Sequence, residues 1–166
     1  QLASVKDPDE LLKKVCHGAR ELTGARHAYL TVREKSGHTG FRCYTSGLSE
    51  QEIARLPDAG TQYDQLSGAI EQWHENRFAN ASGNPCAVGL TSDYPELRQC
   101  LAAPIHSLNQ RYGWLLLANK EDDAGFSEED DYILSIQAAQ VGRIYENGSL
   151  YSQIEQRNRQ LQAEIE

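Results

Sequence analysis

The stretch CLAAPIHSLNQRYGWLLLANK, residues 100–120, decides the fold. It holds two apolar, β-prone segments, Cys100–Leu108 and Arg111–Asn119, joined by the turn residues Asn109-Gln110. The second segment is almost continuously hydrophobic, so the pair reads as a central β-hairpin. Directly after it, Phe126 precedes Ser127-Glu128-Glu129-Asp130, a Ser cap followed by three acids where a helix N-terminus exposes its N–H groups. The helix that starts there runs without a proline to Glu166, about 40 residues or about 60 Å at ~1.5 Å per residue. A domain of this size does not need that length for its own packing, so the far half is expected to pack on something else.

Towards the N-terminus, Asp7 before Pro8 is a plausible cap, and Leu11, Leu12, Val15, Ala19 and Leu22 recur at helical spacing up to Gly24. His27–Val32 and Phe41–Thr45 are β-prone and flank turn residues, which predicts a second hairpin. Ser49–Leu56 reads as a short Ser-capped helix, and Leu66, Ala69, Ile70 and Trp73 place one apolar stripe on another. Arg77–Gln99 reads as mostly loop, with a strand near Phe78 and a turn of helix at Pro95–Arg98.

The chain has 166 residues, 39% hydrophobic, which is enough for one globular domain. Its 24 acidic residues outnumber 16 basic ones, so nucleic acid and anionic membrane surfaces are excluded as partners. With no spanning segment and no signal-like N-terminus, a cytoplasmic location is expected. Beginning at Gln1 and stopping inside a helix, the sequence reads as a piece of a longer protein. Cys16, Cys43, Cys86 and Cys100 are scattered, without the C-x-x-C pairs or nearby His that a zinc site needs, so no metal is expected and the thiols are read as reduced.

In the far half of the last helix, Ile144, Tyr151, Asn158 and Ile165 repeat every seven residues, interleaved with Asn147, Ile154 and Leu161. This is a short coiled-coil seam carrying Asn at one core position, a residue that is satisfied by its twin in a parallel dimer. It predicts a homodimer through the terminal helices. The expected division is 1–147 for the globular domain and 148–166 for the coiled-coil extension.

Taken together, Leu101–Ile105, Tyr112–Lys120, Phe126–Asp130 and Ala138-Ala139-Gln140-Val141 with Tyr145-Glu146-Asn147 and Leu150-Tyr151 resemble the GAF domains of bacterial sensor histidine kinases. The N-terminal "G-A-R-x-A-Y-L" and "T-S-G-L-S" are similar in order. The resemblance implies an α+β fold: a twisted antiparallel sheet with the terminal helices on one face, a small-molecule pocket region on the other, and a long C-terminal signalling helix. It also implies a sensory or regulatory module in signal transduction, with an effector domain beyond Glu166 and a ligand that differs from member to member and is not inherited from the fold.

The resemblance also implies three alternative chemistries, each with its own residue requirements. A thiol-dependent redox enzyme of the free methionine sulfoxide reductase type would use Cys86 and Cys100, but Cys100 opens an apolar strand where a thiol is inert. A covalently bound bilin would need a Cys followed by His; Cys86 is followed by Ala87, and Cys16-His17 lies in the wrong helix. A haem would need an axial His, for which His74 and His106 are the candidates. His74-Glu75-Asn76-Arg77 lacks the surroundings of a kinase phosphoacceptor, so no catalytic residue is expected. For an unidentified small ligand, Tyr63, Ile70, Trp73, Phe78 and Cys86 are expected around the cavity, or else to fill the second half of the core. An acidic ligand would want Arg42, Arg77 or Arg98 turned inward.

Overall fold

A computed structural model describes the backbone of residues 8–34, 40–108 and 110–165, and their side chains apart from residues 8, 148–156 and 165. The elements run α1 (Pro8–Thr23), β1 (Ala25–Arg33), β2 (Phe41–Ser46), α2 (Glu50–Arg55), α3 (Ala59–Gln72), β3 (Arg77–Ala79), a 3-10 turn (Pro85–Val88), β4 (Gln99–Ser107), β5 (Gln110–Lys120) and α4 (Glu128–Ile165). The five strands form one antiparallel sheet in the order β2-β1-β5-β4-β3.

β5 is the central strand, and its apolar run Trp114–Ala118 is buried on both faces. Gly113 is required where β5 meets β1, because a Cβ there would fall 1.8 Å from the Thr31 carbonyl oxygen. On one face, Leu12, Val15 and Ala19 of α1 and Leu134, Ala138 and Val141 of α4 close over Leu30, Val32, Leu101, Ile105, Leu115 and Leu117. On the other, Leu66, Ala69 and Ile70 of α3, with Leu90, Tyr94 and Leu97 from the following loop, cover Tyr29, Cys100, Ala102, Trp114 and Leu116. The terminal helices and the pocket region thus lie on opposite faces, as expected from the resemblance.

Both expected Ser caps form. Ser49 Oγ accepts from the Glu52 amide at 3.1 Å while the Ser49 amide donates to Glu52 Oε1 at 2.9 Å, a complete capping box. Ser127 and Asp130 make the same reciprocal pair at the start of α4, at 3.1 and 2.9 Å. The Asp7 cap and the turn residue Asn109 lie outside the described residues.

Two expectations need correction. Trp73 does not extend α3 but terminates it in an extended conformation, its amide donating to the Ile70 carbonyl. Pro95–Arg98 forms no helical turn; a 3-10 turn stands instead at Pro85–Val88, with Asn84 capping the Cys86 amide and Pro85 at the first helical position. The reason is long-range: the side chain of Asn119 accepts from the Arg98 amide at 2.7 Å and donates to the Glu96 carbonyl at 2.8 Å, holding that segment extended. Asn119 itself has φ 68, a left-handed conformation that Asn tolerates.

β3 pairs only with Gln99–Leu101, and Asn76 continues the pairing by one residue, its carbonyl accepting from the Ala102 amide at 2.8 Å. Beyond Ala102 the outer edge of β4 carries Pro104.

Candidate functional site

Where β3 stops, the sheet edge opens into a cleft of about 250 Å³ whose walls include Ile70 and Trp73 from the end of α3, Pro104 and Trp114 from the sheet, and Ser135 from α4. His74, Glu75 and Asn76 form its mouth. Asn76 is held from two sides, donating to the Ala102 carbonyl at 3.1 Å and to the Asp131 carboxylate at 3.2 and 3.3 Å. The cleft therefore touches the pocket-side helix, the sheet and the first turns of α4 at once.

Of the five expected cavity residues, the structure brings three together. Ile70 and Trp73 line the cleft, and Phe78 packs edge-on against Trp73 with ring centroids 4.8 Å apart. Trp73 is anchored by its indole N–H, which donates to the Val88 carbonyl at 2.9 Å. Tyr63 and Cys86 are elsewhere. Tyr63 lies two turns earlier on α3 and packs on Phe41 at 5.0 Å, and Cys86 is exposed on the 3-10 turn. Much of the face beneath α3 is filled by side chains, so the alternative of a second core accounts for most of the aromatic residues there.

Three buried polar atoms among the described residues have no hydrogen-bond partner: Tyr29 Oη, Ser67 Oγ and Trp114 Nε1. All three belong to the α3 side. Tyr29 and Trp114 are diagonal neighbours on that face, since Tyr29 pairs with Leu116 two residues along β5. Ser67 is one turn before Glu71, whose carboxylate holds the Arg111 guanidinium at 3.4 Å; that guanidinium lies 4.7 Å above the Trp114 ring. Unpaired buried donors of this kind cost about 1–3 kcal/mol each unless a water or ligand meets them. Nothing in the sequence pattern announces them, because periodicity assigns a residue to a face and not to a partner.

None of the three candidate arginines turns beneath α3. Arg42 is on the α1 side, 3.7 Å from Glu34 and 4.0 Å from Asp9. Arg77 donates to the Phe126 carbonyl at 2.9 Å, and Arg98 pairs with Glu96 at 2.9 Å at the surface.

The thiols divide by environment. Burial pushes Cys16 and Cys100 up to about 12, far from the thiolate form that nucleophilic chemistry requires. Burial also raises Cys43, whose sulfur sits 3.3 Å from Thr31 Oγ1. The two haem candidates differ: His74 stands at the cleft mouth, while His106 is exposed on β4. Among the described residues no group of three His, Cys, Asp or Glu side chains could hold a metal ion, and no helix is long and apolar enough to cross a membrane.

At the other end of the sheet, Asn119 and Lys120 connect the pocket-side loop to the terminal helices. Lys120 Nζ donates to Asp130 Oδ2 and to the Thr23 carbonyl, both at 2.6 Å, which joins the end of α1 to the start of α4. Burial works to raise the Asp130 carboxyl, but Lys120 and the Ser127 amide outweigh it and hold it below the usual range.

α4 continues unbroken through residue 147 to Ile165. Of the seam residues, Ile144 is half-buried and Asn158 and Leu161 are exposed; the side chains of Tyr151, Ile154 and Ile165 lie outside the described residues.

A family model described as GAF domain matches residues 5–146. Solved structures share the architecture. The GAF domain/HD domain protein from Geobacter sulfurreducens superimposes with a TM-score of 0.64 at 18% identity, covering 90% of this chain and 99% of that one. The GAF domain of a phosphoenolpyruvate-protein phosphotransferase from Acinetobacter gives 0.62 at 16% identity, covering 85% and 83%. The GAF domain of the cyanobacteriochrome TePixJ gives 0.61 at 16% identity, covering 90% and 96%.

Proposed function

We propose, given that this chain belongs to the GAF domain family, that it is a sensory module which binds a small molecule on its α3 face and passes the event through dimerised terminal helices to an effector such as a histidine kinase. The observation that carries this reading is α4. Leu134, Ala138 and Val141 are buried against the sheet, whereas every described side chain from Arg157 to Glu164 is exposed on the same continuous helix. Such a projecting helix gains stability by packing on a second copy. An enzyme would have no use for it, and the protonated, buried Cys100 supports a non-catalytic reading.

The path from cleft to helix is short. Asn76 bonds Asp131, and Ser135 lines the cleft, so a ligand seated there bears on the first two turns of α4 directly. A tenfold shift in output requires only about 1.4 kcal/mol of preference between two helix arrangements.

Sedimentation of the 166-residue chain tests the dimer. A dimer that dissociates on Leu161→Glu and tightens on Asn158→Leu is expected. A monomer at high micromolar concentration, both here and in a longer fragment, would overturn it.

A further inference from the structure

We infer that the pocket-side loop is acid-sensitive: a proton taken up by His27 loosens the clamp by which Asn119 fastens Glu96–Arg98 to the sheet. This goes beyond the sensory reading above, because it assigns a switch to the loop and not a ligand to the cleft.

Asn119 is 8% exposed, and both polar atoms of its side chain are engaged. Its Oδ1 accepts from the Arg98 amide at 2.7 Å and from the Gln99 amide at 3.4 Å. One Nδ2 hydrogen goes to the Glu96 carbonyl at 2.8 Å, which leaves the second for His27 Nδ1 at 3.5 Å. The amide cannot be reversed, since a flipped NH2 group would meet the N–H groups of Arg98 and Gln99. His27 Nδ1 must therefore offer a lone pair, which places the proton of the neutral ring on Nε2.

A charged ring carries N–H at both positions and sets one of them against the Asn119 N–H. The contact then turns from attraction to repulsion at the residue that holds the loop. The segment's other hydrogen bonds run to Asn80 and Gly83, at 2.6, 2.8 and 3.0 Å. Those residues belong to the same stretch between β3 and β4, so it stays joined to itself when Asn119 lets go. The stretch carries Leu90, Tyr94 and Leu97, which cover the α3 face of the sheet, so loosening it opens the pocket side. Lys120 follows Asn119 directly and holds Thr23 and Asp130, so the same event reaches α1 and α4.

The surroundings keep His27 uncharged at neutral pH. Burial holds the ring below the usual histidine range; Glu52 of α2 pulls the other way, and Arg20 of α1 and Arg26 of β1 reinforce the effect of burial. On the clamped segment the Glu96 carboxylate is paired with Arg98 at 2.9 Å, and Lys120 is paired with Asp130 at 2.6 Å. A ring that binds its proton less well in the closed fold makes acid favour the open loop.

An NMR titration of the 166-residue chain from about pH 8 to about pH 4.5 tests the switch. At the start, His27 is expected as the Nε2-protonated tautomer. The Arg98 amide and the Asn119 side-chain amide should then shift with the midpoint of the His27 ring. Protection of the Arg98 amide against hydrogen exchange, corrected for the intrinsic pH dependence, should fall about tenfold across that midpoint. His27→Asn keeps an acceptor near the Nδ1 position but takes up no proton, so both changes should vanish in it. A proton on Nδ1 at neutral pH would overturn the inference. So would Arg98 and Asn119 resonances that ignore the His27 midpoint, which would mean that the ring turns away alone, or changes that persist in His27→Asn. Should that variant not fold, the tautomer and the shared midpoint in the parent chain decide. None of these readouts involves a ligand or the dimer, so their failure leaves the sensory reading standing.

Discussion

The two faces of the sheet are built from the same strands, residue by alternate residue, yet they treat polar groups differently. Under α1 and α4 the buried polar groups are paired: Tyr44 Oη donates to Asp9 at 2.5 Å, Thr23 Oγ1 to the Ala19 carbonyl at 2.7 Å, and Lys120 to Asp130 at 2.6 Å. Under α3, Tyr29, Ser67 and Trp114 are left without partners. A fully paired, apolar layer holds the terminal helices firmly to the sheet. A layer with unpaired donors folds at the cost of the hydrogen bonds those groups gave up.

Neighbouring leucines on β5 offer the largest test of this contrast. Leu115 faces the terminal helices and Leu116 faces α3, and both are buried. Leu115→Ala should cost about 4 kcal/mol in urea denaturation and Leu116→Ala about 2–3, because the layer beside the cleft can relax into the space. Equal costs would mean that the two faces are packed alike.

The next effect is electrostatic. Asp130→Asn should destabilise by about 2 kcal/mol at neutral pH, since Lys120 is 19% and Asp130 6% exposed and the ammonium loses its counter-charge. The Asp130 carboxyl is lowered in the folded state, so its contribution is full above the unfolded value near ~3.9 and is lost as pH falls through the folded value. Acid titration of stability should therefore be steeper in the parent protein than in Asp130→Asn below about pH 4. Parallel curves would show that the ion pair contributes nothing.

Two tyrosines sharpen the contrast at smaller scale. Tyr44→Phe removes a paired hydroxyl and should cost about 1 kcal/mol, whereas Tyr29→Phe removes an unpaired one and should be neutral or stabilising by up to about 1 kcal/mol. A loss at Tyr29 would reveal a partner on that face. Thiol labelling gives a last, purely kinetic difference: Cys86 should react at once, and Cys16 and Cys100 only as fast as the protein opens.

Patterns within a few residues made much of this architecture legible. The apolar run Trp114–Ala118 marked the central strand, and Phe126-Ser127-Glu128-Glu129-Asp130 marked the start of α4, because caps and periodicity act locally. Pro95 was misleading for the opposite reason, its segment being held by Asn119 from β5. Asn84-Pro85, a cap followed by proline, was the readable signal for the 3-10 turn. The site was only partly legible. Ile70, Trp73 and Phe78 belonged together by their order in the chain, but Tyr63 and Cys86 depended on how α3 and a loop turn, which no local pattern encodes.

Pro104 bears on how the protein behaves in concentrated solution. Ala102 directs its amide and carbonyl outward to Asn76, so by alternation the backbone of residue 104 also faces outward, at the point where β3 no longer covers the edge. Any other residue there would offer a free N–H to a passing strand. Proline offers none, which blunts the edge against pairing with a neighbouring molecule and so against aggregation, at no cost to the ladder with β5. The residue that walls the cleft thus also removes one free N–H from this edge of the sheet.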